Sequence, residues 1–84
     1  MKQLASLDAY LPVTLDGEQG LCLALGLDGL LVDSQAPLAP GQELGLRLFL
    51  KPGSRAVGRV LVREEIPTAQ APLRRWNLEV VSWE

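Results

Sequence analysis

The sequence predicts an all-β protein, a small six-stranded antiparallel barrel. Apolar residues alternate with a period of two in several short segments. These segments recur roughly every ten residues, with turns rich in Gly and Pro between them, as in sandwiches and barrels. A helix over residues 43–50 would spread leucines around every side and place Gly45 inside it, at a cost of about 1 kcal/mol. The chain of 84 residues is expected to form a single domain, 1–84.

Each predicted strand is bounded by a turn or loop signal. The first two are expected to form a β-hairpin around the turn "DGEQG". The third lies between the turn "GLDG" and the loop "QAPLAPGQ", and the fourth shows strict alternation. The six segments, in order, are "YLPVTL", "LCLAL", "LLVDS", "ELGLRLFLKPG", "RAVGRVLVREEI" and "RRWNLEVVSW". Closure into a barrel would remove the exposed edges of these leucine-rich strands.

The alternation also predicts which side chains lie inside the barrel. A chain this short buries only about 60–65% of its unfolded surface, so it needs an apolar-rich core. The hydrophobic fraction of 48% supplies one. Cys22 is expected to be a small buried or half-buried residue, and Trp76 to face the core. The other inward residues predicted from the spacing are Leu46, Leu48, Val60, Val62, Leu78 and Val80.

The residue inventory argues against catalysis and metal binding. With one cysteine, Cys22, and no histidine, the chain lacks an intramolecular disulfide, a Ser-His or Cys-His pair and the usual ligands of a metal site. No carboxylate pair can be assigned to a cleft, so we expect no enzyme activity. The sequence shows no signal peptide and no apolar run of membrane-spanning length, which predicts a cytoplasmic protein.

Charge is distributed unevenly along the chain. The net charge is −2, but residues 1–45 hold one basic and six acidic residues, and residues 46–84 hold seven basic and four acidic ones. The acidic balance and the lack of clustered aromatic residues argue against general nucleic-acid binding. A local arginine surface for one anionic ligand or an acidic partner remains open.

The order of these elements resembles that of a known family. The stretch "GLLVDSQAPLAPGQELGLRLFL" has a glycine, an apolar strand, a small polar residue, "PL", and then "G-x-x-L" entering a long alternating strand. "GRVLVRE" and "WNLEVV" resemble the following strands of the same family, the PilZ domain. This resemblance covers nearly the whole chain. It implies a six-stranded barrel and a role in bacterial signalling by cyclic di-GMP.

The two ligand motifs of that family are absent. One is Arg-x-x-x-Arg ahead of the first strand, where planar guanidinium groups suit phosphates and guanine edges. The chain has only Lys2 there. The other is Asp/Asn-x-Ser-x-x-Gly after the second strand, where Ala24 and Gly26 replace the polar residues and only Gly29 matches. Cyclic di-GMP is therefore not expected as a cofactor or ligand in the usual mode.

Three arginines of the fifth strand form a second candidate site. Arg55, Arg59 and Arg63 recur at every fourth residue, which places them on one face of a regular strand. They either form a solvated outer wall or, with Gly29 at the turn, bind a phosphorylated ligand or an acidic partner. Asp28 and Asp33 are interpreted as displaced ligand acceptors or, since an Asp before Gly favours a turn, as structural residues.

A third set of residues indicates an interface. Phe49 lies opposite the leucine face of its strand, beside Arg47 and Lys51. In a regular last strand, Trp83 would share the outer face with Val81. An aromatic flanked by cations suits an interface hot spot, so we expect Phe49, Trp83, Val81 and Arg47 to mark a contact. The alternative is that Phe49 caps the barrel end and Trp83 folds back over it.

These observations lead to one functional hypothesis and two alternatives. The hypothesis is a divergent PilZ-like module that acts through contacts with another protein or a second copy of itself. The first alternative is a genuine cyclic di-GMP receptor whose arginines come from the second half of the chain or a second subunit. The second is an unrelated small barrel that binds nucleic acid.

Overall fold

Six β-strands make up most of the structure. The computed structural model describes residues 7–26, 28–51, 53–67 and 73–84. No helix occurs within these ranges, and hence none that is long and apolar enough to cross a membrane. The strands are β1 (Leu7–Leu15), β2 (Glu18–Leu25), β3 (Gly29–Ser34), β4 (Glu43–Lys51), β5 (Ser54–Ile66) and β6 (Arg74–Trp83).

The strands close into an antiparallel barrel in the order β1-β2-β3-β6-β5-β4. The predicted fold class, a small six-stranded antiparallel barrel, is confirmed. The first hairpin differs in length from the prediction, because only Asp16 and Gly17 form its turn. Both have positive φ angles, 49° and 88°, as a tight two-residue hairpin turn requires. Residues 18–20, expected in the turn, extend β2 instead.

The core fills the inside of the barrel. The predicted inward residues Leu46, Leu48, Val60, Val62 and Leu78 are almost completely buried, and Val80 packs against them while remaining partly exposed. Cys22 and Trp76 are buried as expected. The remaining buried apolar residues are Val13, Leu15, Leu30, Val32, Ala36, Leu38 and Leu44.

β-Bulges change the facing of side chains that strict alternation would assign. A register shift lies between Cys22 and Ala24 in β2. Strict alternation placed Leu21 and Leu25 on one face, but Leu21 is exposed and Leu25 packs against the core. An extra residue in a bulge shifts the period-2 pattern by one, so the residues on either side of it exchange faces.

A second bulge alters the end of β6. Val60 is paired with Val80 and Arg59 with Ser82, which leaves Val81 as the extra residue. Trp83 then pairs with Gly58, whose neighbours on the same face belong to the core. The Trp83 ring lies only 3.0 Å from the place of a Cβ atom on Gly58. Val81 and Trp83 are both exposed, as expected, but the bulge means that they do not share one face of a regular strand.

Candidate functional site

The β2–β3 turn occupies the place of the family's second ligand motif. The Gly26 N–H donates a hydrogen bond of 2.9 Å to the Gly29 carbonyl, which closes the turn. A Cβ atom on Gly29 would lie 2.6 Å from the Leu78 carbonyl oxygen, so this glycine lets β3 approach β6 closely. Ala24 and Gly26 carry no polar side-chain atom. At these two positions the turn offers a nucleotide only its backbone, and the exposed side chain of Asp28 adds a carboxylate to the turn.

The three predicted ligand arginines on β5 are all exposed, but two of them are engaged in ion pairs. Arg59 donates from Nε to Glu43, and this hydrogen bond raises the pKa of the arginine. Arg63 donates to Glu79 at 3.0 Å. Arg55 forms no ion pair with any carboxylate of the described residues. The spacing alone therefore overstates the positive charge that this wall presents.

One charged pair was missed by the sequence analysis. Asp33 is only 3% exposed, and both of its carboxylate oxygens accept hydrogen bonds from Arg75, at 2.8 and 3.1 Å. The two residues are direct partners across β3 and β6. The hydrogen bond to Asp33 raises the pKa of Arg75. Asp33 is thus committed to an ion pair and is not a turn former or an open ligand acceptor.

The barrel is weakest where β1 meets β4, and we call this place the seam. Residues 13–15 of β1 pair with residues 46–48 of β4, and the Asp16 N–H donates a hydrogen bond of 2.9 Å to the Gly45 carbonyl just beyond them. By contrast, β4 pairs with β5 from Glu43 to Lys51. Continuing the register would set Pro12 opposite Phe49. Proline has no N–H to donate, so the ladder ends there.

A groove of about 500 Å³ opens at the seam beyond this point. Phe49 is 37% exposed on its wall, and Arg55 lies directly opposite Phe49 on β5. Arg47 precedes Phe49 by two residues on the same face and is also exposed. The residues that line the groove are Leu11, Pro12, Phe49, Leu50, Gly53, Ser54 and Arg55.

The groove joins residues that the sequence assigned to separate sites. Phe49 was predicted as an interface residue and Arg55 as a ligand residue, and the structure places them side by side. The other predicted interface residues do not line the groove: Arg47 lies near it, and Val81 and Trp83 are 52% and 44% exposed elsewhere. The side chain of Lys51 lies outside the described residues. The sequence signal that could have located the groove is Pro12, a proline inside an alternating strand.

The described residues show neither an activated cysteine nor a group of metal ligands. Burial raises the pKa of the Cys22 thiol, which donates a hydrogen bond of 3.3 Å to the Ala24 carbonyl. Within the described ranges, no three His, Cys, Asp or Glu residues are grouped so that they could hold a metal ion.

Comparison with known proteins identifies a fold neighbour. No family model matches the chain, and no curated protein matches it. The structure of the Bacillus subtilis inhibitor of motility (MotI/DgrA) is similar, with a TM-score of 0.81 and 20% sequence identity. The match covers 99% of this chain and 43% of that one, so the chain spans less than half the length of its neighbour. At this identity the likeness establishes the fold, a PilZ-like barrel.

Proposed function

We propose that the chain is a PilZ-like bacterial regulatory module that acts through contacts with another protein and does not bind cyclic di-GMP in the usual mode of the family. The observation that carries the proposal is a contrast between two places on the barrel. The β2–β3 turn has no polar side chain at Ala24 or Gly26. The seam exposes Phe49 and Leu50 beside Arg55.

The lack of the usual nucleotide site follows from the chemistry of the replaced residues. A charge-assisted hydrogen bond to an arginine contributes about 1.5–3 kcal/mol, and every 1.4 kcal/mol changes the dissociation constant about tenfold. The chain lacks both motif arginines and both polar residues of the turn. Binding should therefore be weaker by several decades than at an intact site. Arg59 and Arg63 are poor substitutes for the missing motif arginines because each is already paired with a carboxylate. Arg59 pairs with Glu43, and Arg63 with Glu79.

Protein contact is favoured by the exposed apolar side chains. Aromatic residues, Phe among them, and arginines are both enriched in protein interfaces. Large apolar side chains that lie together at the surface of a small domain are typical of interaction sites. Phe49 and Leu50 share one groove, and the neighbour of similar fold is named as an inhibitor of motility. This supports a regulatory role for the module, and no catalytic activity is proposed.

Calorimetric titration with cyclic di-GMP tests the proposal. We expect no heat of binding at low micromolar nucleotide in physiological salt. A micromolar dissociation constant that is lost in Arg55→Ala or Arg74→Ala would contradict the proposal and favour a receptor that uses arginines from the second half of the chain. The Arg63→Ala variant serves as the control, since Arg63 is exposed and paired with Glu79.

A further inference from the structure

The seam leaves part of two strands without a partner. β1 runs from Leu7 and β4 runs to Lys51, yet pairing between them is confined to residues 13–15 and 46–48. Beyond the Val13–Leu48 pair, residues 49–51 of β4 have no register partner in β1 among the residues that the structure describes. An exposed strand edge of this kind is a template for pairing with another chain.

The side chains around this edge define what such a chain would carry. Phe49 and Leu50 give the groove an apolar wall, and Leu11 forms its floor at the edge of the core. Arg55 stands opposite Phe49, and Arg47 lies on the same face two residues away. In an added strand, alternate side chains point to opposite faces. An added strand with an apolar side chain next to an acidic one could therefore contact the apolar wall with the first and the arginines with the second.

Charge favours an acidic occupant. Four other arginines of β5 and β6 each have a carboxylate partner in this structure: Arg59, Arg63, Arg74 and Arg75. Arg47 and Arg55 have none among the residues that the structure describes. Both are exposed, and they flank Phe49, the one aromatic residue of β4. A carboxylate from outside the molecule would complete the pattern that the rest of the barrel shows.

We propose that the seam groove binds a short extended segment of a partner protein, which adds a strand to the free edge of β4. An apolar side chain of that segment packs against Phe49 and Leu50, and an Asp or Glu beside it pairs with Arg55. Main-chain hydrogen bonds give such a complex its affinity, and side-chain contacts give it specificity. This inference rests on the proposed function and identifies the surface and the partner chemistry.

A displayed library of random hexapeptides, selected on the full chain, tests the inference. The enriched peptides should combine apolar residues with Asp or Glu and should carry few basic residues. Arg55→Glu should weaken binding of these peptides at least tenfold and should select Lys- or Arg-containing peptides in a fresh round. Arg63→Glu is the matched control, because it reverses an exposed arginine of the same strand outside the groove.

A second variant tests the strand edge itself. Pro12→Val restores an N–H opposite Phe49 and a side chain that favours strands, so β1 and β4 should pair further and close the groove. We expect this variant to lose peptide binding at least tenfold while its melting temperature stays the same or rises. Unchanged binding by Pro12→Val would show that the edge is not used and would overturn the inference. Loss of fold in Pro12→Val would itself contradict the idea that the seam can close.

Other outcomes would also overturn it. Enriched peptides that are neutral or basic, or peptides whose binding survives Arg55→Glu, would exclude the acidic segment. A concentration-dependent mass that disappears in Arg55→Glu would make a second copy of the chain the occupant. If peptides bind but depend on Trp83 and Val81 instead, this inference fails and the proposed function stands. The proposed function fails separately, if cyclic di-GMP binds at micromolar concentration.

Discussion

The Asp33–Arg75 pair shows how a charged residue becomes part of the barrel wall. Asp33 follows an apolar run in β3 and is buried, while Arg75 is the second residue of β6 and remains partly exposed. The two side chains meet because their strands pair in register. A carboxylate buried with a bidentate guanidinium partner is stable only as long as that partner remains.

Replacing the arginine should therefore be costly. Arg75→Met leaves the Asp33 carboxylate buried without its partner, and we expect a loss of about 3 kcal/mol in the free energy of unfolding, at the low end of the range for broken buried pairs because Arg75 is partly exposed. Urea denaturation measures this loss. The double variant Asp33→Leu/Arg75→Met should recover much of it. If the double variant is as unstable as the sum of both single variants, the pair is not coupled.

Cys22 should be nearly inert while the barrel is folded. Its thiol is buried, and burial raises its pKa above the ordinary value of 9.0, so little reactive thiolate forms. Reaction with a disulfide reagent at pH 8 should be much slower in the native protein than in denaturant. The folded state keeps the proton that the unfolded state loses, so stability should fall as the pH rises above about 9. Rapid native labelling would contradict this account.

At the residue scale, the sequence predicts the burial of side chains, which depends on alternation along one strand. It does not predict contacts between strands, which depend on which strands pair. The burial of Cys22 and Trp76 follows from their apolar surroundings and the strand pattern. The partner of Asp33 lies 42 residues away along the chain. No local pattern indicates which strand will lie beside β3, so this contact could not be assigned before the topology was known.

At the scale of the elements, the turns and the close strand contacts are set by glycines. A Cβ atom on Gly29 would lie 2.6 Å from the Leu78 carbonyl oxygen. A Cβ atom on Gly45 would have only Asp16 Oδ1 within 4 Å, at 3.3 Å. The two glycines both lie in strands but differ in what a methyl group would meet. Replacing each glycine by alanine therefore distinguishes the effect of close packing on stability from the effect of strand propensity.

We expect Gly29→Ala to destabilise the barrel by about 1–3 kcal/mol, the usual cost of overpacking against rigid backbone. Gly45→Ala should change stability by less than about 1 kcal/mol, because the exposed Asp16 carboxylate needs to shift only slightly while keeping its hydrogen bond from the Gly45 N–H, and alanine restricts the unfolded chain. Thermal unfolding of both variants gives the comparison. Equal losses in the two variants would mean that the contact with Leu78 does not constrain β3.

All six strands are predictable from alternation and turn residues, but the bulges are not. Val81 and the register shift after Cys22 leave no mark in the period-2 pattern. For this reason the sequence predicts that Trp83 is exposed but does not predict its pairing with Gly58. The short seam between β1 and β4 also depends on long-range closure, although Pro12 signals a weak place in its strand.

At the scale of the whole molecule, the proposed binding surface for a partner protein lies on the outer wall of a closed barrel. Phe49 and Trp83 are both about half exposed, but their contacts differ. Phe49 lines the open groove, and Trp83 rests on Gly58 at the edge of the core. The same substitution should therefore have different consequences at the two positions.

Phe49→Ser should abolish binding of selected peptides and lower the melting temperature only slightly, because the ring is partly exposed and does not belong to the core. Trp83→Ser should lower the melting temperature clearly, since it uncovers Gly58 and the residues beneath it. Sedimentation and thermal unfolding of both variants measure these effects. A sharp loss of stability in Phe49→Ser, with peptide binding and mass unchanged, would make Phe49 a cap of the barrel end.

The central claim is that the β2–β3 turn does not read a nucleotide. Amide NMR spectra of the labelled chain, recorded during titration with cyclic di-GMP, test it at the residues concerned. We predict that the Gly26 and Gly29 amide signals stay in place at nucleotide concentrations far above micromolar, because no polar side chain at positions 24 and 26 can hold a base. Saturable shifts of both signals at micromolar cyclic di-GMP would contradict the account.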